Sequence, residues 1–278
     1  MILLPLPEGI SLQAVNGVSL LRFNSLTDGT GARAWFTTRR GGVSVPPYAT
    51  LNVGFHVQDD PEAVRENRSR VWSALGVSGE QVVGAEQVHG KKVRLVAGQD
   101  AGCGADDAAG AIPGTDALVT QQAGLVLTAY YADCVPILLL DPTSQSGGVV
   151  HAGWKGTALK APAEAVREMQ SAYGLEPQTC RAVIGPSIGR CCYEVDDRVL
   201  VPMEEAFGSG LKDLAEGTTP GHARLDLWKA NRTSLLEAGL RPENILVSGL
   251  CTACHTDWFF SHRAEHGRTG RMMAVLTL

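Results

Sequence analysis

The sequence predicts an α+β fold, in which a single domain over residues 1–278 contains a large mixed β-sheet or layered β core with helices on its outer faces. Two observations favour this class. Apolar runs of strand length outnumber helical patterns, and the two kinds do not alternate regularly along the chain. No repeat, low-complexity stretch or linker divides the sequence, and 278 residues can bury a substantial core without disulfides or metal.

Composition argues against several functional classes. The formal net charge of −5 does not suit non-specific nucleic-acid binding, which needs a basic surface. No apolar run reaches about 18 residues, so we expect no membrane span. The apolar start lacks a basic segment and a cleavage pattern, and we interpret it as an opening strand rather than a signal peptide. The odd number of seven cysteines favours a reducing compartment, so we expect a cytoplasmic protein. We separately expect a monomer.

The first third of the chain is predicted to form a strand, a glycine-rich loop and a helix. The strand, residues 32–38, continues into RRGGVSVPPY, whose glycines allow close backbone approach and whose Arg39 can hold an anion. A solvated surface turn is the other interpretation of this loop. Asp60 then caps a helix that ends at Gly76. The inner face of this helix carries Val64, Val71 and Leu75.

Further elements follow in irregular order. Strands are predicted over residues 81–88, 93–97, 116–120, 125–131, 181–185, 244–247 and the final eight residues. Helices are predicted over residues 156–173, 196–207 and 228–238, and a surface loop over residues 98–114.

The most informative stretch is residues 128–157, where two apolar runs, PILLL and GVV, each adjoin a reactive residue. Cys134 lies just before the first run and His151 at the end of the second. A turn-rich segment separates the runs, so we expect two neighbouring strands that bring a thiol and an imidazole to one rim of a sheet. Because Pro136 cannot donate to a ladder, we also expect a bent backbone beside Cys134 instead of a regular central strand.

A second imidazole, His89 in EQVHG, lies at the end of a predicted strand. The long spacing of His89, Cys134 and His151 does not fit a zinc finger, but it fits ligands that converge from separate strands. One thiolate and two neutral imidazoles form a plausible catalytic zinc shell with an open fourth position. In a second interpretation, Cys134 is a covalent nucleophile with a histidine as its base. Asp133 would then orient a histidine or merely cap a turn.

Arg39, Lys155 and Arg263 are candidate anion-binding residues. Lys155 follows His151 by four positions in HAGWK, and we expect it near the metal. A group of lysine and arginine side chains suits a phosphate or carboxylate co-substrate, although solvated surface charges are the alternative.

Two further cysteine and histidine patterns are weaker. The Cys251-x-x-Cys254 pair has no second CxxC partner. The neighbouring residues Cys191 and Cys192 could in principle complete a structural four-cysteine metal site with it. A buried reduced pair is the simpler interpretation. The sequence has no H-x-H, which argues against a true multicopper oxidase.

Several motifs together resemble the laccase-domain family, first called polyphenol oxidase and now regarded as purine nucleoside phosphorylase-like. In order, they are FTTRRGGVSVPPYATLNVGFHVQDDPEAVRENR, EQVHG, ADCVPILL, HAGWKGT, GPSIGRCCYEV and CTACHTDWFFSHRAEHGRTGRMMAV. The resemblance runs from about Phe36 to the C-terminus. This chain departs from the family pattern at His262, where relatives more often carry tyrosine, and at Ala264, where they carry arginine.

The resemblance implies a zinc site formed by His89, Cys134 and His151. It also implies phosphorolysis of adenosine, inosine and guanosine, cleavage of methylthioadenosine and deamination of adenosine, with purine nucleosides and phosphate as partners. Some bacterial members are described as peptidoglycan editing factors. An alternative function is therefore a cysteine-type amidohydrolase that edits muropeptide precursors, and a non-catalytic metal- or nucleoside-binding protein is a third possibility.

Overall fold

The computed structural model describes residues 4–278 and confirms the α+β class with a layered β core. The first sheet contains, in spatial order, β1 (Ile10–Val15), β2 (Val18–Phe23), β3 (Arg33–Thr37), β15 (Met272–Thr277), β7 (Val126–Tyr131) and β4 (Val82–Val83). The second contains β14 (Ile245–Val247), β10 (Arg181–Ile184), β8 (Val135–Asp141), β9 (Ser146–Ala152), β6 (Ala117–Thr120) and β5 (Val93–Leu95). A small third sheet contains β11 (Glu194–Asp196), β13 (His222–Leu225) and β12 (Ala215–Gly217). Both large sheets mix parallel and antiparallel neighbours.

The helices lie outside the two large sheets. They are α1 (Asn24–Thr27), α2 (Pro61–Leu75), α3 (Trp154–Ala158), α4 (Ala161–Tyr173), α5 (Asp197–Phe207), α6 (Leu211–Leu214) and α7 (Leu227–Glu237). Among the described residues, no helix is both long and apolar enough to cross a bilayer. The opening strand predicted at residues 1–13 agrees with β1 only over residues 10–13. Residues 4–9 are not strand, and residues 1–3 lie outside the described chain.

The two large sheets pack face to face, so the molecule has four layers. In β8, Leu138 packs toward the first sheet, whereas Ile137 and Leu139 pack toward α4 and α7. On the far side of the first sheet, Val71 and Leu75 of α2 pack against its outer face. The central strands are therefore buried on both faces, which is why they form continuous apolar runs in the sequence.

Helix α2 follows its sequence signals closely. The Asp60 side chain accepts a hydrogen bond from the Glu62 amide at 3.0 Å, and Pro61 occupies the first turn. Gly76 ends the helix in the left-handed region with a φ of 66°, which glycine adopts at little cost.

Two predicted elements differ from the observed ones: one strand is shorter, and one helix is divided into two. Of residues 81–88, only β4 is a strand, because Gly84 leaves the sheet to hydrogen-bond with Cys103 and Ile112 of the predicted loop. The predicted helix over residues 156–173 is two helices, α3 and α4. The chain breaks at Lys160, which has a φ of 55°, because Pro162 has no amide to continue the α3 ladder.

Pro136 lies in a regular central strand, so the expectation of a bent backbone there was wrong. β8 pairs with β9 along its whole length, with Pro136 opposite His151. The carbonyl of Pro136 accepts a hydrogen bond from the Gly185 amide at 2.9 Å, and its ring nitrogen faces the same side of the strand. Gly185 lies just beyond the end of β10, so the strand pairing there does not need the amide hydrogen that Pro136 lacks. The bend occurs earlier, at Asp133, whose φ is 82°.

Gly185→Ala should destabilise this junction. A Cβ there would lie 2.9 Å from Cγ of Pro136 and 3.4 Å from Cζ of Phe23, so neighbouring side chains must shift. We expect the free energy of unfolding, measured by urea denaturation, to fall by about 1–3 kcal/mol. Gly210→Ala is the control, because its Cβ would meet nothing within 4 Å. Equal stability of the two variants would contradict this account of the junction.

Candidate metal centre and its cavity

The structure brings His89, Cys134 and His151 together. One possible ligand atom from each residue lies within 4.8 Å of the other two. His151 lies near the end of β9, and Cys134 directly precedes the neighbouring β8, so the strand pairing places both at one rim of the second sheet. His89 comes from the loop between β4 and β5, and its ring meets that of His151 edge-on with the centroids 4.9 Å apart.

Asp116, directly before β6, holds both histidines in place. Its Oδ1 lies 2.9 Å from Nδ1 of His151, and its carboxylate accepts hydrogen bonds from the amides of His89 at 2.9 Å and Gly90 at 2.7 Å. With Nδ1 engaged, Nε2 of His151 is the nitrogen available to a metal. A metal-binding histidine usually has such a carboxylate on its other nitrogen. Asp116 is not among the candidate residues predicted from the sequence, although an acidic residue directly before a buried strand is a usable signal.

Gly153, the glycine of HAGW, makes the close approach possible. A Cβ at this position would lie 2.9 Å from Sγ of Cys134 and 3.1 Å from Cδ2 of His89. Any larger residue would therefore push into the space between the thiol and the imidazole.

Asp133 neither orients a histidine nor caps a simple turn. Its buried carboxylate accepts hydrogen bonds from Oγ1 of Thr252 and from the amide of Arg263, both at 2.6 Å. Its carbonyl accepts one from the Ile188 amide at 3.0 Å. Asp133 therefore ties the segment before Cys134 to two other segments that form the walls of the site.

In the metal-free protein, the thiol and imidazole of the centre favour opposite charges. Burial opposes ionisation of Cys134, but the adjacent His151 and His89 outweigh it and lower the pKa of Cys134 to about 6. Burial alone would lower the pKa of His151, whereas the Cys134 thiolate and Asp116 raise it to about 9. The thiolate is thus present at neutral pH, as metal binding requires.

The centre opens into a cavity of about 730 Å³, a volume typical of small-molecule sites. Its walls carry three arginines, two further histidines and several aromatic side chains. They are Arg68, Arg263, Arg271, His56, His262, Phe55, Tyr130, Trp154 and Tyr193. Desolvation by the surrounding side chains, together with the positive charges of Arg271 and Arg68, lowers the pKa of His56 to about 4, so His56 is neutral at physiological pH.

Of the three predicted anion-binding residues, only Arg263 lines this cavity. Arg39 instead pairs with Glu265 at 3.0 Å and donates hydrogen bonds to the carbonyls of Ala49 and Thr256, so it fastens two loops together. Lys155 is exposed, with its ammonium 5.5 Å from the Trp154 ring. Its side chain does not follow that of His151 toward the cavity, because the chain turns from strand into helix between His151 and Lys155.

Arg68 and Arg271 were missed at the sequence level. Arg68 is 3% exposed and donates hydrogen bonds to the carbonyls of Val53, Gly104 and Ala105. Its position four residues after Val64 places a charge on the apolar face of α2, which was a usable signal. Arg271 directly precedes β15, and no pattern in the sequence distinguishes it from the other arginines of that segment.

We expect Cys134 of chelator-treated protein to react with iodoacetamide with a half-maximal rate near pH 6, because alkylation follows the thiolate fraction. The thiolate is lost as the pH falls through this value. Peptide mapping by mass spectrometry separates Cys134 from the other cysteines. His151→Ala should move the midpoint upward, and an unchanged midpoint would show that His151 does not stabilise the thiolate.

Comparison with known proteins places this site in a family. The sequence profile of a family described as multi-copper polyphenol oxidoreductase laccase matches residues 33–278. A protein of Geobacillus stearothermophilus named purine nucleoside phosphorylase YlmD is 43% identical over 88% of this chain and 90% of its own. A Deinococcus radiodurans protein named purine nucleoside phosphorylase is 41% identical over 87% of this chain and 88% of its own.

Solved structures agree over nearly the whole chain. The crystal structure of YlmD from Geobacillus stearothermophilus is 41% identical and superposes with a TM-score of 0.91, covering 98% of this chain and 99% of that one. A Bacillus licheniformis structure titled hypothetical protein YfiH is 38% identical, with a TM-score of 0.93 over 98% of this chain and 100% of that one. The matched fold and the matched residues 33–278 show that this chain belongs to the laccase-domain family, described as multi-copper polyphenol oxidoreductase laccase.

Proposed function

We propose that this protein is a zinc-dependent purine nucleoside phosphorylase. One observation carries the proposal: a cluster of one thiol and two imidazoles faces a cavity of about 730 Å³ with arginines in its walls. The names of relatives about 40% identical, which are called purine nucleoside phosphorylases, support the reaction class. The family's description as a laccase does not, because the chain has no H-x-H for paired copper ligands.

The donor set of the centre suits zinc. His89, Cys134 and His151 would be the ligands, and three protein ligands leave a position for substrate or water. The Asp116 carboxylate on Nδ1 of His151 is the support that a ligating imidazole needs. A bound zinc ion would supply Lewis-acid polarisation of a substrate group.

The walls of the cavity fit a nucleoside and an anion. Tyr193 and Trp154 offer aromatic faces for a purine ring. Arg263 and Arg271 offer positive charge for phosphate. Among the described contacts, each uses Nη1 to donate to backbone carbonyls, which leaves the rest of its guanidinium group for a ligand.

In phosphorolysis, a phosphate oxygen forms a bond to C1′ of the ribose while the bond from C1′ to the purine nitrogen breaks. The electron pair of that bond leaves with the base. The purine nitrogen gains a proton and hydrogen phosphate gives one up, so the products are the neutral purine and ribose 1-phosphate. The arginines would hold the phosphate against C1′, and the enclosing walls would keep water from competing. Orientation and charge placement are thus the contributions we assign to this chain.

The finer substrate range is also proposed. It includes adenosine, inosine, guanosine and methylthioadenosine, together with deamination of adenosine. Deamination replaces the 6-amino group with oxygen from water and releases ammonia, so it requires no phosphate and can be assayed separately.

Cytoplasmic location and a monomeric state also remain predictions. The seven cysteines, all free in the structure, suit a reducing compartment.

The Cys134–His151 pair also favours one alternative, a cysteine-type amidohydrolase acting on muropeptide precursors. A thiolate beside an imidazolium is the usual arrangement of a cysteine nucleophile. The two functions differ in their need for metal, because a thiolate that ligates zinc is not free to attack an amide.

Metal removal separates the two functions. We expect chelator-treated protein to lose phosphate-dependent release of hypoxanthine from inosine, and zinc to restore it. Cys134→Ala should lose the metal of this centre together with activity, whereas Cys103→Ala should keep both because Cys103 lies outside the cluster. Full activity of metal-free protein on a muropeptide precursor would instead support the thiol nucleophile. Bound zinc without turnover of any nucleoside would support a binding protein.

Arg271→Gln should weaken phosphate binding. Loss of a charge-assisted hydrogen bond costs about 1.5–3 kcal/mol, which corresponds to a rise of about 10- to 150-fold in KM for phosphate. The KM for inosine should change much less. Lys155→Gln is the control, because Lys155 is exposed outside the cavity and its loss should leave both KM values within about twofold. A larger effect of Lys155→Gln than of Arg271→Gln would place the anion site elsewhere.

A further inference from the structure

A second sulfur cluster lies outside the proposed active centre. Cys191, Cys192, Cys251 and Cys254 place their four sulfur atoms within 4.8 Å of one another. The Cys254 sulfur lies 3.5 Å from that of Cys191 and 3.4 Å from that of Cys192. Since these two distances are nearly equal, the contacts do not single out one cysteine pair.

The topology explains why residues about sixty positions apart meet here. β10 and β14 are parallel neighbours, so their carboxyl ends reach the same edge of the second sheet. The loops that follow them run side by side, with Ser187 bridged to Cys251 and hydrogen-bonded through its amide to Leu250 at 3.2 Å. One loop supplies Cys191 and Cys192, and the other supplies the CxxC pair.

We propose that these four cysteines form a second metal site, a tetrathiolate centre for a divalent zinc ion. Zinc bound by four thiolates at about 2.3 Å has sulfur atoms about 3.8 Å apart, which agrees with the observed separations. A tetrahedral set of four sulfurs selects zinc or iron over harder ions, and zinc needs no redox partner.

The surroundings of one of the four sulfurs, that of Cys251, suit a thiolate. The backbone amide of Gly189 donates a hydrogen bond to the Cys251 sulfur at 3.2 Å, and the amide of Cys254 also bonds to it. Amides directed at a sulfur stabilise negative charge on it, which is the usual outer support of a thiolate ligand. Cys191 and Cys254 are exposed, so an ion can reach the site from solvent.

A metal in this site would hold two walls of the active cavity together. The loop with Cys191 and Cys192 also contains Ile188 and Tyr193, and the segment after Cys254 contains His262 and Arg263, all of which line the cavity. Nη1 of Arg263 donates directly to the carbonyl of Cys192 at 3.3 Å. Loss of the ion would therefore disturb the position of an arginine that we assign to phosphate binding, although metal binding itself does not depend on that assignment.

Metal content of purified variants, kept under reducing conditions and measured by mass spectrometry, tests the proposal. We expect Cys134→Ala to retain one zinc ion per chain, held by the four thiolates alone. Adding Cys254→Ser, or separately Cys191→Ser, should remove this ion, whereas adding Cys103→Ser should not. Because the test is made in the Cys134→Ala background, failure of the proposed nucleoside chemistry would not affect its result.

Cobalt substitution gives a second measurement, which reports the number of thiolate ligands directly. Cobalt-loaded Cys134→Ala protein should show the intense thiolate-to-cobalt charge-transfer absorption of a four-sulfur site, and this absorption should disappear in the Cys254→Ser background. In the wild-type setting, Cys254→Ser alone should lower the melting temperature and raise KM for phosphate.

Two results would overturn the proposal. One is Cys134→Ala protein that contains no metal after reconstitution with zinc while all its remaining thiols are reduced and titratable. The other is a disulfide among the four cysteines that persists in protein prepared under reducing conditions, seen as a loss of two mass units in the intact chain.

Discussion

The Asp116 carboxylate is the group on which the active centre depends. It binds Nδ1 of His151 and the amides of His89 and Gly90, so one side chain fixes two imidazoles that come from separate segments. At 2% exposure, its charge is stable only while these donors surround it. The end of β9 at His151 and the loop at His89 and Gly90 are thus both held by this one buried anion.

The active cavity and the four-cysteine cluster share the same rim of the second sheet. Asp133 precedes Cys134, and its carboxylate accepts a hydrogen bond from the hydroxyl of Thr252, which lies between the two cysteines of the CxxC segment. A hydrogen bond of 2.6 Å between two side chains therefore joins the residue before the proposed ligand Cys134 to the segment of the proposed structural site. The loops that carry the four cysteines and the segment that positions Cys134 are thus linked through Asp133.

Local chemistry was predictable from the sequence, whereas long-range placement was not. The caps of α2, the paired strands β8 and β9 and the approach of Cys134 to His151 follow from local patterns. Arg39 and Lys155 do not line the cavity, because neither adjacent glycines nor sequence spacing determines which way a side chain leaves a turn. The regular geometry at Pro136 depends on where the neighbouring β10 happens to end, and no local pattern contains that information.

The position of β15 in the first sheet has a consequence for biosynthesis. This strand is the last of the described strands to be translated, yet it lies between β3 and β7 and pairs with both. Until it emerges from the ribosome, the facing edges of β3 and β7 have no partner, and Arg271 is absent from the cavity. Nascent or prematurely terminated chains would present two open strand edges, which are templates for aggregation, so chaperones have a specific vulnerable state to protect.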